Sequence, residues 1–173
     1  MTSELLDRAL IEEAAKKSGL VWVAGAGAGA GAARALWHVW HEGAVCLVGD
    51  GPGEQPLTGL ADGARAEVTV RSKDKGGRLV SFPATVTELS AGTPEWEATV
   101  GELKGKRLNA PDAERMPGRW ARECRVLRLV PAGPVAPLPA GDLARRPVAT
   151  PATTRRPVPA ALPRLLAKRR KGR

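Results

Sequence analysis

At 173 residues, with a formal charge of +9, the chain has room for one domain with a real core and an extension. Residues 1–130 carry equal numbers of basic and acidic side chains, whereas residues 131–173 carry ten Lys and Arg against one acid, Asp142. The basic character therefore belongs to a tail, and it excludes no class of ligand for the domain.

The opening stretch "SELLDRALIEEAAKKSGL" predicts an amphipathic helix, with Glu4 and Asp7 early, Lys16 and Lys17 late, and Gly19 as a stop. It lacks the basic start and unbroken apolar centre of a signal peptide, and no run reaches membrane-spanning length. "GLVWVA" (19–24) is a short apolar run, followed by the glycine–alanine tract from Gly25. "RALWHVWH" and "AVCLVGD" read as strands on either side of Glu42-Gly43. "EQPLTGLADGA" suggests one helical turn, and "RAEVTVRSK" (65–73) alternates as a half-buried strand. "RLVSFPATVTELS" (78–90) is a long strand that Pro83 should bend or bulge. Thr93, followed by Pro94, opens a late helix. "RWARECRVLRLV" (119–130) reads as a closing strand, which makes about six strands in all. Cys46 and Cys124 fall in apolar runs with no close partner, as buried thiols of a reducing cytoplasm. Residues 132–173 hold many prolines and little aliphatic pattern, the composition of a disordered basic tail; the domain is thus expected over 1–131.

The stretch from Arg34 to Gly51 decides the functional reading. A metal site fails, because His38 and His41, three apart, would face opposite sides of a strand, and no further ligand has metal-site spacing. A dinucleotide-binding unit is the more serious alternative. Gly25, Gly27 and Ala30 fit the G-x-G-x-x-A fingerprint, and Asp50 would be its ribose-binding acid. Against it, "LWHVWH" is rich in strand formers, and the chain downstream lacks alternating strand–helix units. The hairpin reading fits both halves. Glu42-Gly43 makes a two-residue turn, and large residues on both faces call for a barrel interior on one side and a second surface, such as a dimer partner, on the other.

This order of elements, with a paired "R-x-[VL]-W-x-V-W-x-[DE]-G" hairpin, resembles the FMN-binding split β-barrel superfamily of pyridoxamine 5'-phosphate oxidase-like proteins, which includes deazaflavin-dependent reductases. The resemblance covers roughly residues 3–130. It implies a mainly β split barrel with flanking helices, and a homodimer binding FMN or a deazaflavin between two barrels. It also implies a two-electron oxidoreductase as the reaction class. Arg34 matches the first arginine of the family's phosphate-binding strand. The family's lysine position falls on Val39, and its serine–lysine loop falls around Glu54-Gln55-Pro56, which supplies no cation and adds an anion.

Substitutes for the phosphate site are Arg71, Lys73 and Arg78, with Lys75, in the domain's densest basic patch. Trp37, Trp40 and Trp120 are the candidates to flank a flat ring. No side chain identifies itself as an acid or base. Two other readings stand beside the flavin one: a cofactor-free split-barrel interaction module, and the dinucleotide fold. The tail, with Arg145-Arg146, Arg155-Arg156 and Lys168–Lys171, is expected either to bind nucleic acid or anionic surfaces without sequence preference or to serve as a solubility tail with no partner, and not to insert into a membrane.

Overall fold

The computed structural model describes residues 3–26, 31–108, 110 and 112–137. The tail beyond Pro137 and residues 27–30 of the glycine–alanine tract lie outside the described residues, and with them the expectation of a disordered tail. Helix α1 (Ser3–Lys17) leads into β1 (Leu20–Gly25), β2 (Arg34–Trp37), β3 (Val39–His41), β4 (Ala44–Gly49), β5 (Arg65–Arg71) and β6 (Arg78–Glu88). Helices α2 (Pro94–Lys106) and α3 (Met116–Glu123) follow, and β7 (Arg125–Pro131) closes the fold. Among the described residues, no helix is long and apolar enough to cross a membrane.

One antiparallel sheet holds all seven strands, in the order β2-β1-β5-β6-β7-β4-β3. Its two edge strands, β2 and β3, are separated in sequence by His38 alone. Opposite edges joined by one residue cannot lie flat, so the sheet curls until the edges meet. The result is a mainly β split barrel with flanking helices.

Alternation along the strands fills this barrel. Val21, Val23, Leu36, Val45, Leu47, Val68, Val70, Phe82, Val86, Leu127 and Leu129 point inward, and Ile11, Ala14 and Ala15 of α1 cap them. A second core lies outside the wall, where Val39, Ala44, Cys46 and Val48 meet Trp96, Val100 and Leu103 of α2 and Met116 and Trp120 of α3. Every residue of β4 is buried. The second surface demanded by the two-faced hairpin is therefore supplied by helices of the same chain, where the sequence suggested a dimer partner.

Local signals explain most elements. The Thr93 hydroxyl accepts from the Trp96 N–H, and Pro94 occupies the first turn of α2. Glu42 and Gly43 have φ of 44° and 75°, the left-handed pair that a type I′ turn needs. The dinucleotide reading is corrected here. β1 and β2 pair antiparallel across the glycine–alanine tract, and Arg34–His41 is strand, not helix. Gly25 serves packing instead, since a Cβ there would lie 2.2 Å from the Gly59 carbonyl oxygen.

Several expectations are corrected in detail. There are seven strands rather than six, because Arg34–His41 is broken at His38. No helical turn forms over residues 55–61. The register shift falls at Val70/Arg71 instead of at Pro83, which sits inside β6 opposite Glu67. Residues 119–123 belong to α3, so strand β7 begins only at Arg125. Past Pro131 the chain continues along β6, with Ala132 N–H donating to the Pro83 carbonyl and Ala136 N–H to that of Ser81. Val135 N–H donates to Asp7 of α1, and its side chain packs on the barrel core.

Gln55 completes the closure. Its side-chain oxygen accepts from Trp37 N–H at 2.8 Å, and its amide donates to the Trp37 carbonyl at 2.9 Å and the Val48 carbonyl at 3.2 Å. A side chain thus does for the free edge of β2 what a neighbouring strand would do.

Two outcomes are expected. Gln55→Leu leaves the half-buried Trp37 N–H and carbonyl unpaired, and should lower unfolding free energy by about 2–3 kcal/mol in urea titrations. Ending the chain after residue 131 should lower its melting temperature clearly, whereas ending it after 138 should not, as followed by circular dichroism.

Candidate functional site

A pocket of about 530 Å³ opens where the start of β1, the end of β2 and the end of α2 converge. Ser18, Gly19, Trp37, His38 and Gly105–Leu108 line it. Its walls are largely apolar, and two cations, Lys106 and Arg107, belong to them. Trp37 is half-buried and leans on Trp120, with ring centroids 6.5 Å apart and planes tilted by 40°. The Arg107 guanidinium lies over the Trp37 ring, 5.5 Å from its centroid.

His38, the joint between the sheet edges, is only 4% exposed. Its Nε2–H donates to the Ala15 carbonyl at 3.0 Å, which makes Nδ1 the unprotonated nitrogen, and Nδ1 has no partner among the described residues. Burial drives its pKa down to about 4, opposed by the bond to Ala15 and assisted by the Lys106 charge. The imidazole is therefore neutral near neutral pH.

Behind the pocket lies a buried ionic cluster. The Glu54 side chain is fully inaccessible; its Oε1 accepts from Arg119 at 3.2 Å and from Trp120 Nε1–H at 3.0 Å. Its Oε2 faces Arg107 Nε at 3.5 Å, and Arg107 also donates to the Gly53 carbonyl. Arg119 bridges onward to Asp112 at 2.8 Å. That bond holds the Asp112 carboxyl below its ordinary range, and Asp112 and Glu54 together keep the guanidinium firmly protonated. A buried charge left single would cost several kcal/mol, so the two arginines are what let Glu54 sit there. Cys46, wholly buried, has its thiol pushed up to about 12 by desolvation and is inert.

The seven residues nominated from sequence do not converge on one place. Trp37 lines the large pocket. Trp120 is fully buried on α3 and supports Trp37 from inside the second core. Trp40 lines a separate cavity of about 170 Å³ with Arg8 and Glu12 of α1. Arg34 is exposed, with its guanidinium 3.5 Å from the Thr58 hydroxyl. Arg71 lies over the Trp22 ring at 4.9 Å, Arg78 donates to the Pro137 carbonyl, and Lys73 is exposed at the hairpin end. None of these last three lines the large pocket.

Sequence reasoning missed Lys106, Arg107 and Glu54. A signal for the first two exists: Gly101 stands inside α2, where a glycine costs about 1 kcal/mol, and Gly105 stands in its last turn. A Cβ at either would meet nothing within 4 Å, so packing does not require them. Such a pair marks a helix end that keeps open space beside it. Among the described residues, no group of His, Cys, Asp and Glu is arranged to hold a metal ion.

No protein-family model matches the chain, and no curated protein matches it. Solved structures do resemble it. HutZ, the heme storage protein of Vibrio cholerae, aligns with 73% of this chain and 90% of its own, at 10% identity and a TM-score of 0.53. A general stress family protein from Xanthomonas campestris pv. campestris aligns over 87% of this chain and 99% of its own, at 18% identity and a TM-score of 0.52. A conserved hypothetical protein of Mycobacterium tuberculosis aligns over 76% and 81%, at 14% identity and a TM-score of 0.50. At these identities the likeness is one of fold, the split barrel.

The neutral, buried His38 sets a pH dependence. An unfolded histidine protonates near pH 6.5, while the folded one resists protonation down to about pH 4. Between those values the unfolded state binds the extra proton, so stability is full above pH 6.5 and falls as pH drops toward 4, by up to about 3 kcal/mol. Urea unfolding from pH 7 to pH 5, where carboxylates titrate little, should show this slope in the native chain and lose it in His38→Gln.

Proposed function

We propose that this chain binds a planar cofactor of the flavin type, FMN or a deazaflavin nucleotide, in the pocket lined by Trp37, Lys106 and Arg107. The observation that carries the reading is the convergence of an indole, a mostly apolar wall and two cations in a cavity of about 530 Å³, a size suited to a ring system. Trp37, backed by the Arg107 guanidinium, would stack on or edge the ring, Leu108 would shield it from water, and Lys106, which has no carboxylate partner among the described residues, would take its anionic group through charge-assisted hydrogen bonds. The loop at Glu54-Gln55-Pro56 does not fit a phosphate, because a carboxylate already satisfies the arginines there.

A flavin or deazaflavin held in this way would itself supply the two-electron chemistry of an oxidoreductase. The chain's contribution would be position and electrostatics. The single N–H of His38 is committed to Ala15, so it is not available to donate to a ligand. The homodimer implied by the resemblance belongs to the same proposal. Leu20 and Leu79 are 43% and 49% exposed, and a second copy would cover them.

The buried Glu54 favours a second reading, a cofactor-free interaction module that has filled its ancestral anion site with its own carboxylate. Titration separates the two. Tryptophan fluorescence of the full chain should be quenched by FMN and by riboflavin. Trp37→Ala should weaken both by about 1–2 kcal/mol. Lys106→Ala should weaken FMN by about 2 kcal/mol and leave riboflavin unchanged. Saturation by hemin alone would point to a tetrapyrrole instead of a flavin. Indifference to all three ligands would leave the interaction module, and light scattering on the same samples reads the dimer.

A further inference from the structure

The wall of the large pocket includes a side chain with a polar atom that the fold leaves unpaired. His38 is 4% exposed and belongs to that wall, together with Trp37 and Lys106. Its Nε2–H is spent on the Ala15 carbonyl at 3.0 Å, so Nδ1 carries a lone pair and no proton. Among the described residues Nδ1 has no hydrogen-bond partner, and it is closed off from water in the free chain. A buried acceptor without a donor carries a desolvation cost that the fold does not offset. Five other buried polar atoms lack a partner, on His41, Glu54, Arg78, Thr99 and Arg128, and none of those residues lines this pocket. Burial and the Lys106 charge both hold the imidazole neutral, so the acceptor persists through the neutral pH range.

That lone pair distinguishes between classes of planar ligand. An isoalloxazine or deazaflavin ring carries an imide N–H on its pyrimidine portion (N3–H). An iron porphyrin presents no N–H, because the metal holds all of its pyrrole nitrogens, and it takes a histidine through a ring nitrogen instead. Here Nε2, the ring nitrogen remote from the backbone, is committed to Ala15. Nδ1 adjoins the carbon that bears Cβ, where the chain crowds the approach of a macrocycle.

We propose that His38 Nδ1 accepts the imide N–H of a flavin-type ring, and that the pocket thereby selects rings that present a donor over tetrapyrroles that present none. The inference rests on the flavin reading of the pocket and specifies what that ring must carry. A flavin nucleotide brings both complements, a donor for His38 and an anion for Lys106. Leu108 is 77% exposed and Lys106 is exposed, so these two wall side chains have room to give way as a ring enters.

The test uses the full chain and two probes that differ by one methyl group, riboflavin and N3-methylriboflavin, titrated by quenching of tryptophan fluorescence. The native chain should bind riboflavin about tenfold more tightly, the effect of one hydrogen bond unmade in a buried site. His38→Gln keeps an amide N–H for the Ala15 carbonyl and removes the acceptor at Nδ1. It should weaken riboflavin by about the same factor and bind the two probes alike. Isotopic labelling of histidine gives a direct signature, since the chain has only two. The His38 Nδ1 resonance, identified by its absence in His38→Gln, should move toward the hydrogen-bonded range with riboflavin and not with N3-methylriboflavin. Equal affinity of the native chain for the two probes would overturn the inference and leave the flavin reading standing. A preference that survives in His38→Gln would also overturn it, because another part of the wall would then sense the methyl group. Hemin whose Soret band shifts between the native chain and His38→Gln would place iron on the imidazole, with the same consequence. No binding of riboflavin at all would remove the flavin reading, and this inference with it. The comparison of probes on the native chain needs no variant, and thermal melts of His38→Gln separate lost binding from lost folding.

Discussion

A single residue joins the two edges of the sheet, and most of the structure follows from that joint. With β2 and β3 at opposite ends of a seven-stranded order but only His38 between them, the sheet must close on itself. Closure gives β4 two buried faces, one toward the barrel and one toward α2 and α3. It forces the imidazole inside, where its N–H finds the Ala15 carbonyl at the end of α1 and fastens that helix over the barrel mouth. Closure by curling also leaves the outer edge of β2 without a strand partner. Gln55 answers that need with one amide that both accepts from and donates to Trp37. The same joint and the same amide fix the position of Trp37, on which the pocket depends.

The loop after β4 shows how one short segment can be fully committed to structure. Asp50 takes φ of 64°, accepts from Leu57 N–H and pairs with Arg125. Glu54 turns inward to Arg119 and Trp120, and Gln55 closes the barrel. Gly51 has no room for a side chain, since a Cβ would lie 2.2 Å from the Cys124 sulfur. Asp50, Glu54 and Gln55 are thus all spent on the fold, while at the neighbouring end of α2 Lys106 is exposed and lines the pocket. Arg107 belongs to both places, facing Glu54 on one side and Trp37 on the other, so it couples the buried cluster to the pocket wall.

The parts of this fold governed by local rules were legible in the sequence. Alternation gave β5, Glu42-Gly43 gave the hairpin turn, and Thr93-Pro94 gave the start of α2. The class of fold came from the order of these elements. What escaped was set by tertiary contacts. Nothing local says that "RALWHVWH" breaks at His38, because each half is a good strand and only pairing with opposite edges separates them. "RWARE" alternates well enough for a strand, and it becomes helix because Trp120 and Met116, four apart, must reach one buried face. Glu54 reads as a departure from a phosphate-binding loop. Its actual role depends on Arg107 and Arg119, more than fifty residues away in sequence. Trp37, Trp40 and Trp120 were nominated to flank a flat ring, but indoles fill cores and pockets alike, and only the fold sorts Trp120, in the second core, from Trp37, at the pocket wall.

Charge in this chain is divided by the chemistry of its carriers. Inside the domain the structural work falls to arginine, whose planar fork can satisfy several oxygens at once. Arg125 reaches Asp50, Glu88 and the Leu60 carbonyl, tying β7 to the β4–β5 loop and the end of β6, and Arg128 joins Glu95 of α2 to the Glu42 carbonyl at the hairpin turn. Lysine at either place would supply the charge but not the geometry, and would leave oxygens unbonded. At the β5–β6 turn the lysines carry no such duty. The lysines at that turn and at the end of α2, Lys73, Lys75, Lys104 and Lys106, have no carboxylate partner among the described residues, whereas the arginines of β7 and α3 that bridge elements are each held by at least one.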